Sequence, residues 1–102
     1  MRFCRTCAPR ALWKQTELIE TLFIRRAQVQ GRDFDPEDPL TGLDFHRAQL
    51  TALDTQLAEA LRDYAGLHDA MRHYKLTPPA PPALFLSEMD RLDVPRPTGY
   101  EA

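Results

Sequence analysis

Apolar residues recur at helical spacing in three stretches of this chain. Between Pro9 and Gly31, on a wheel of 100° per residue, Leu12, Leu18, Ile19, Leu22, Phe23 and Val29 share one broad face, while Trp13, Ile24 and Ala27 fall outside it. Pro9 suits a first helical position and Gly31 a helix terminus, so the pattern predicts a helix over 9–30. A loop over 31–41 follows, because Asp35-Pro36 and Asp38-Pro39 both oppose helix at the residue before proline. Thr41 can cap the next helix, with Asp44 as the second half of a capping-box-like pair.

That next helix, over 42–75, carries the most specific signal in the sequence. Leu43, Leu50, Leu57, Tyr64 and Met71 fall at position a of a heptad, and His46, Leu53, Ala60, Leu67 and Tyr74 at position d. All but His46 are apolar, and the repeat describes a rod of roughly 50 Å at the rise of an α-helix. His46 reads as a packing residue or a register-setting polar group. The e positions (Arg47, Asp54, Leu61, His68, Lys75) and g positions (Gln49, Gln56, Asp63, Ala70) lack the repeating Glu/Lys pattern of a self-pairing zipper.

Past Leu76 the pattern stops. Thr77-Pro78-Pro79-Ala80-Pro81-Pro82 cannot continue a helix and reads as a polyproline II spacer that carries the chain away from the body. Phe85, Met89 and Leu92 at i, i+4 and i+7 predict a short helix near 83–92, with Ser87 and Asp90 as local caps, and Val94 to Ala102 reads as an extended tail. The expected fold is therefore all-α: a helical hairpin with one long heptad-patterned helix, a Pro-rich spacer and a short C-terminal helix, extended rather than compact. It divides into a basic N-terminal arm (1–8), a two-helix body (9–76) and a Pro-rich extension (77–102).

These elements expose more apolar surface than a hairpin can cover. A first helix of some 21 residues reaches only about two-thirds of the second, so the distal heptads at Met71 and Tyr74 call for something else to pack on. Trp13 and Ile24 stay wet on the flank of the first helix unless another protein covers them. The residues expected to bind a partner are accordingly Trp13, Ile24, Leu43, Leu50, Leu57, Tyr64, Leu67, Met71, Tyr74, Phe85, Met89 and Leu92.

Composition narrows the class of partner. With 102 residues the chain makes one domain at most, and four glycines against nine prolines argue against a sheet-rich protein. The net charge of -2 offers no overall basic field for nucleic acid, which leaves RNA contact inside a ribonucleoprotein as the only such role considered. Charge is nevertheless polarised: residues 1–30 carry six Lys/Arg against Glu17 and Glu20, whereas 31–102 carry seven against thirteen acids. Arg2, Arg5, Arg10 and Lys14, with no acid among them and Phe3, Leu12 and Trp13 interspersed, resemble a mitochondrial import sequence; an ordinary basic arm on a cytoplasmic protein fits the same residues. No apolar run approaches the 18 or so residues needed to span a bilayer.

Candidate chemistry is sparse. Cys4 and Cys7 form one Cys-x-x-Cys, but a structural zinc site needs two more soft ligands at comparable spacing, and a redox dithiol needs a strand-to-helix junction. Asp33, Asp35, Glu37 and Asp38 imitate a calcium loop, except that Pro36 is badly placed and Asp38 stands where the turn needs glycine. No nucleophile accompanies Tyr64, His68 or His73 in a triad, and the four glycines form no phosphate loop. The expectation is a non-enzymatic protein without cofactor or metal. It is an accessory subunit packed by its helices into a larger assembly, such as a respiratory or ATP-synthase complex or an organellar ribosome; the alternative is a freestanding coiled-coil homodimer acting as adaptor or regulator.

Overall fold

The computed structural model describes residues 6–31 and 43–101, with Leu43 described by its backbone only. These residues form three helices, α1 (Ala8–Gln30), α2 (Leu43–His73) and α3 (Ala83–Arg91), and no strand among them. The protein is all-helical, with an elongated outline of 56 × 27 × 19 Å whose long dimension follows from the 31 residues of α2. Its radius of gyration of 16.2 Å exceeds the roughly 13 Å of a globule of about 100 residues. Thr41 and the acidic loop residues Asp33, Asp35, Glu37 and Asp38 lie outside the described residues.

α1 and α2 run antiparallel. Gln15 Nε2 donates to the Ala60 carbonyl at 2.9 Å and Arg26 Nε to Asp54 Oδ1 at 2.7 Å, so contacts move back along α2 as they move forward along α1. The face that α1 buries is Ala8, Leu12, Ile19, Leu22 and Val29. With Gln15 and Arg26 inserted, these residues step alternately by four and three, a strict heptad seam. The broad wheel face is too broad: Leu18 is 47% exposed, and Phe23 is half-buried against α3.

On α2 the buried residues are Leu57, Ala60, Leu61, Tyr64, Leu67, His68 and Met71. The a and d positions of the heptad supply five of these, which join the core with α1 and with Phe85 of the C-terminal segment. The other two, Leu61 and His68, are e positions, and they face the C-terminal segment. Residues 77–101 do not leave the body: Phe85 inserts its ring between Phe23 of α1 and Tyr64 of α2, at centroid distances of 5.6 and 5.3 Å in edge-to-face geometry. Met89, Val94 and Pro97 are buried as well.

Two matching turns fold this segment back. After α2, Leu76 N–H donates to the Met71 carbonyl and Lys75 N–H to that of Arg72, with Lys75 left-handed at φ 61°. After α3, Val94 N–H donates to Met89 and Asp93 N–H to Asp90, with Asp93 at φ 57°. Both are Schellman motifs, in which the residue after the left-handed one turns an apolar side chain back onto the helix it has just left. Leu76 and Val94 make that contact, each packing on the core. α3 starts behind Pro82, whose carbonyl receives the Phe85 amide, so Ser87 and Asp90 do not cap it; Asp90 instead pairs with Arg96.

The tail ends against α2. Arg72 Nη1 donates to the Thr98 carbonyl at 2.8 Å, and Asp69 Oδ1 accepts from the Thr98 amide at 3.0 Å. Gly99 sits at φ 94° with the Arg72 guanidinium over its Cα, where a Cβ would lie 2.7 Å from Nη1, so only glycine fits there without displacement.

Candidate interaction surface

Residues singled out as partner contacts divide into two groups. Leu57, Tyr64, Leu67, Met71, Phe85 and Met89 are each 5% exposed or less and are spent on the chain's own core. Met71 in particular is covered, which corrects the expectation that the C-terminal end of α2 outreaches its cover: Leu76 turns back at that end, and the tail returns to it through Thr98, which bonds Arg72 and Asp69. Leu50, Tyr74 and Leu92 are half-buried, as is His46, and the side chain of Leu43 lies outside the described residues. The end of α2 with apolar surface to spare is its N-terminal one, where Phe45 is 45% exposed and Leu50 and Leu53 are half covered.

Trp13 and Ile24 remain open, at 63% and 59% exposure. They stand on the side of α1 opposite its buried seam, three helical turns or about 16 Å apart. Glu17 and Glu20 fill the same stripe between them, giving Trp-Glu-Glu-Ile at spacings of four, three and four. Both glutamates are exposed, and neither forms an ion pair with another described residue. The wheel separated Trp13 and Ile24 from the core; the acidic pair between them was available in the same spacing.

Elsewhere the charges are matched internally. Asp54, at an e position, accepts from Arg91 of α3 (Nη1 to Oδ2 at 3.2 Å, Nη2 to Oδ1 at 2.9 Å) and from Arg26 of α1, which ties all three helices at one carboxylate. Hydrogen bonding from Arg91, then from Arg26, holds its carboxyl below the usual range, with partial burial opposing. Arg91 also bonds Glu88, and the two carboxylates raise its guanidinium pKa further.

His68 is the one buried polar residue among those described. Its Nε2 lies 3.2 Å from the Pro79 carbonyl, its Nδ1 has no hydrogen-bond partner, and the rings of Tyr64 and Tyr100 flank it at 6.1 and 5.5 Å. Burial pushes its pKa down, and it pushes that of Tyr64 up. A neutral imidazole that donates through Nε2 satisfies this geometry, with Nδ1 an idle acceptor. His68 therefore packs the tail onto α2 and is sealed from any substrate.

A groove of about 850 Å³ runs along the other side of the α1–α2 seam, floored by Ala11, Gly66, Leu67 and Ala70, with Lys14, Arg62 and His73 interleaved with Asp63 and Asp69 around it. The groove is shallow and its rim mixes both signs, so it focuses no single charge. Among the described residues no group of three or more His, Cys, Asp or Glu could hold a metal ion; Cys7 is exposed and Cys4 lies outside them. Nor is any described helix long and apolar enough to cross a membrane.

Among the described residues, fold and surface together define three packed helices with an acidic-apolar stripe left exposed on α1. No protein-family model, curated protein or solved structure matches the chain.

Proposed function

We propose that the chain is a non-catalytic accessory or structural subunit that packs by its helices into a larger multi-subunit assembly. The observation that carries this reading is the outer stripe of α1, where the sole tryptophan and an isoleucine face solvent on a helix whose other side already has a full core. Large apolar side chains repeated at helical spacing mark a face that another protein covers. The freestanding coiled-coil dimer has less support, because the Leu57–Met71 part of the 43–74 seam it would use is already buried within the chain.

The basic, acid-free stretch from Arg2 to Lys14 supports a mitochondrial place for this assembly, which names a respiratory or ATP-synthase complex or an organellar ribosome as the class of host. A tagged protein distributed through the cytosol would remove the organelle from the proposal. The reading itself is tested by affinity purification under mild conditions, comparing the native chain with a Trp13→Ala/Ile24→Ala variant. A stoichiometric set of subunits retained by the native chain and lost by the variant is expected. Equal recovery from both would place the contact elsewhere and remove the stripe as support.

A further inference from the structure

The stripe on α1 carries information about its partner as well as its existence. Its two apolar residues stand at the ends, and two exposed glutamates stand at the centre. A second copy of the chain is a poor occupant. In an antiparallel pairing of two α1 helices position 13 meets 24 and position 17 meets 20, while in a parallel pairing 17 meets 17 and 20 meets 20. Both arrangements set glutamate against glutamate, and like charges brought together at an interface are unfavourable. The basic residues of α1 do not relieve this. Arg10, the exposed residue three before Trp13, continues the row but meets Ala27 in the antiparallel pairing and itself in the parallel one, so it answers neither glutamate, and Arg25 lies off the row. Arg26 is committed to Asp54 on the buried side, and Lys14 points to the groove on the flank.

We propose that Trp13, Glu17, Glu20 and Ile24 form the docking site for a basic amphipathic helix of a partner protein. Its Lys or Arg side chains meet the two glutamates, and its apolar residues cover the tryptophan and the isoleucine. The spacing of the stripe specifies that helix: apolar residues eleven positions apart, with a basic pair set four residues in from each end. The seam inside this chain uses the same design, since a polar side chain within an apolar heptad row is tolerated where the facing helix supplies its counterpart. Arg26 stands in the inner row of α1 and finds Asp54 on α2. The glutamates of the outer row have no such counterpart among the described residues. This inference rests on the subunit reading above and adds the chemistry of the partner to it.

A version of this chain with Glu17→Lys and Glu20→Lys is a ready probe, because it presents the required basic helix with the same apolar ends. Both glutamates are exposed, so the variant should keep its helical circular dichroism and its melting profile. Sedimentation of each protein alone and of their equimolar mixture, up to millimolar concentration, reads the outcome. The mixture should form a heterodimer at least about tenfold tighter than either protein pairs with itself, from two opposite-charge pairs replacing two like-charge ones. Raising salt from about 0.05 to about 0.5 M should weaken it. Trp13→Ala/Ile24→Ala in the native member should abolish it. A mixture that associates no more tightly than its components, or a native chain that dimerises as readily alone, would overturn the proposal, as would heterodimers that survive loss of Trp13 and Ile24. If the purification experiment retains subunits through Trp13 and Ile24 while the mixture stays monomeric, the basic helix fails and the subunit reading stands.

Discussion

The two rows of α1 follow the same spacing and meet opposite fates. The inner row, Ala8, Leu12, Gln15, Ile19, Leu22, Arg26 and Val29, is closed by α2, and each of its polar members has a counterpart: Gln15 in the Ala60 carbonyl, Arg26 in Asp54. The outer row, Trp13, Glu17, Glu20 and Ile24, has two large apolar residues against the five apolar ones of the inner row, and its glutamates have no ion-pair partner among the described residues. Apolar side chains therefore occur on both the buried and the exposed row of this helix. What separates the two rows is whether their polar residues are answered among the described residues, since burying an unanswered charge costs more than a single side chain's apolar burial returns.

The comparison breaks most visibly in the core. Phe85→Ala empties the site between Phe23 and Tyr64 and should cost about 3 to 5 kcal/mol, measured by denaturant unfolding of the isolated chain. A loss below about 1 kcal/mol would mean that the C-terminal segment is not part of the folded core. Met71→Ala should cost about 2 to 5 kcal/mol and Leu50→Ala clearly less, because Met71 is 5% exposed and Leu50 is half-buried. The reverse order would move the open end of α2 from its N-terminus to its C-terminus.

Those two ends show what could be read from sequence and what could not. All-helical structure and the long heptad helix were legible, because nine apolar residues at 3-4 spacing and the proline run after Leu76 leave little choice. Trp13 and Ile24 were legible as outliers from the apolar face of their helix. The return of the C-terminal segment was not, since it depends on left-handed turns made by Lys75 and Asp93, where the usual sequence signal is glycine. A proline run reads as a spacer, and nothing local shows that Pro97 is buried or that Phe85 reaches between two helices. The e positions Leu61 and His68 held the one clue, an apolar and a neutral side chain where a solvent-facing column would carry charge. They form the second seam of α2, onto which that segment closes.

His68 sharpens the comparison through pH. Its folded pKa is depressed from 6.5 by burial, with Arg72 adding to the shift while Asp69 and the Pro79 carbonyl oppose it. The unfolded chain therefore binds the proton more readily. Stability should be full above about pH 6.5, decline as pH falls below that value, and level off, for this group, once the folded-state pKa is passed. Tyr64, which faces the ring and whose pKa burial raises, stays neutral throughout that range. His68→Phe should flatten this part of the profile in denaturant midpoints taken between about pH 7.5 and about pH 5.5. An unchanged slope in the variant would assign the effect to another group.

The smallest expected effect belongs to the outer row. Trp13→Ala should change the stability of the isolated chain by about 0.5 kcal/mol or less, as a surface substitution does. A loss as large as that of Phe85→Ala would mean that the row is core.

Trp13 is the only tryptophan in the chain, so its fluorescence reports the state of the outer row without labels. In the folded, isolated protein the emission should lie close to that of the unfolded chain and be quenched by acrylamide almost as readily. Capture by a basic helix should shift it to the blue and protect it. Blue-shifted, quencher-resistant emission from the folded monomer alone would contradict the account, because the outer row of α1 would then already be closed within the chain.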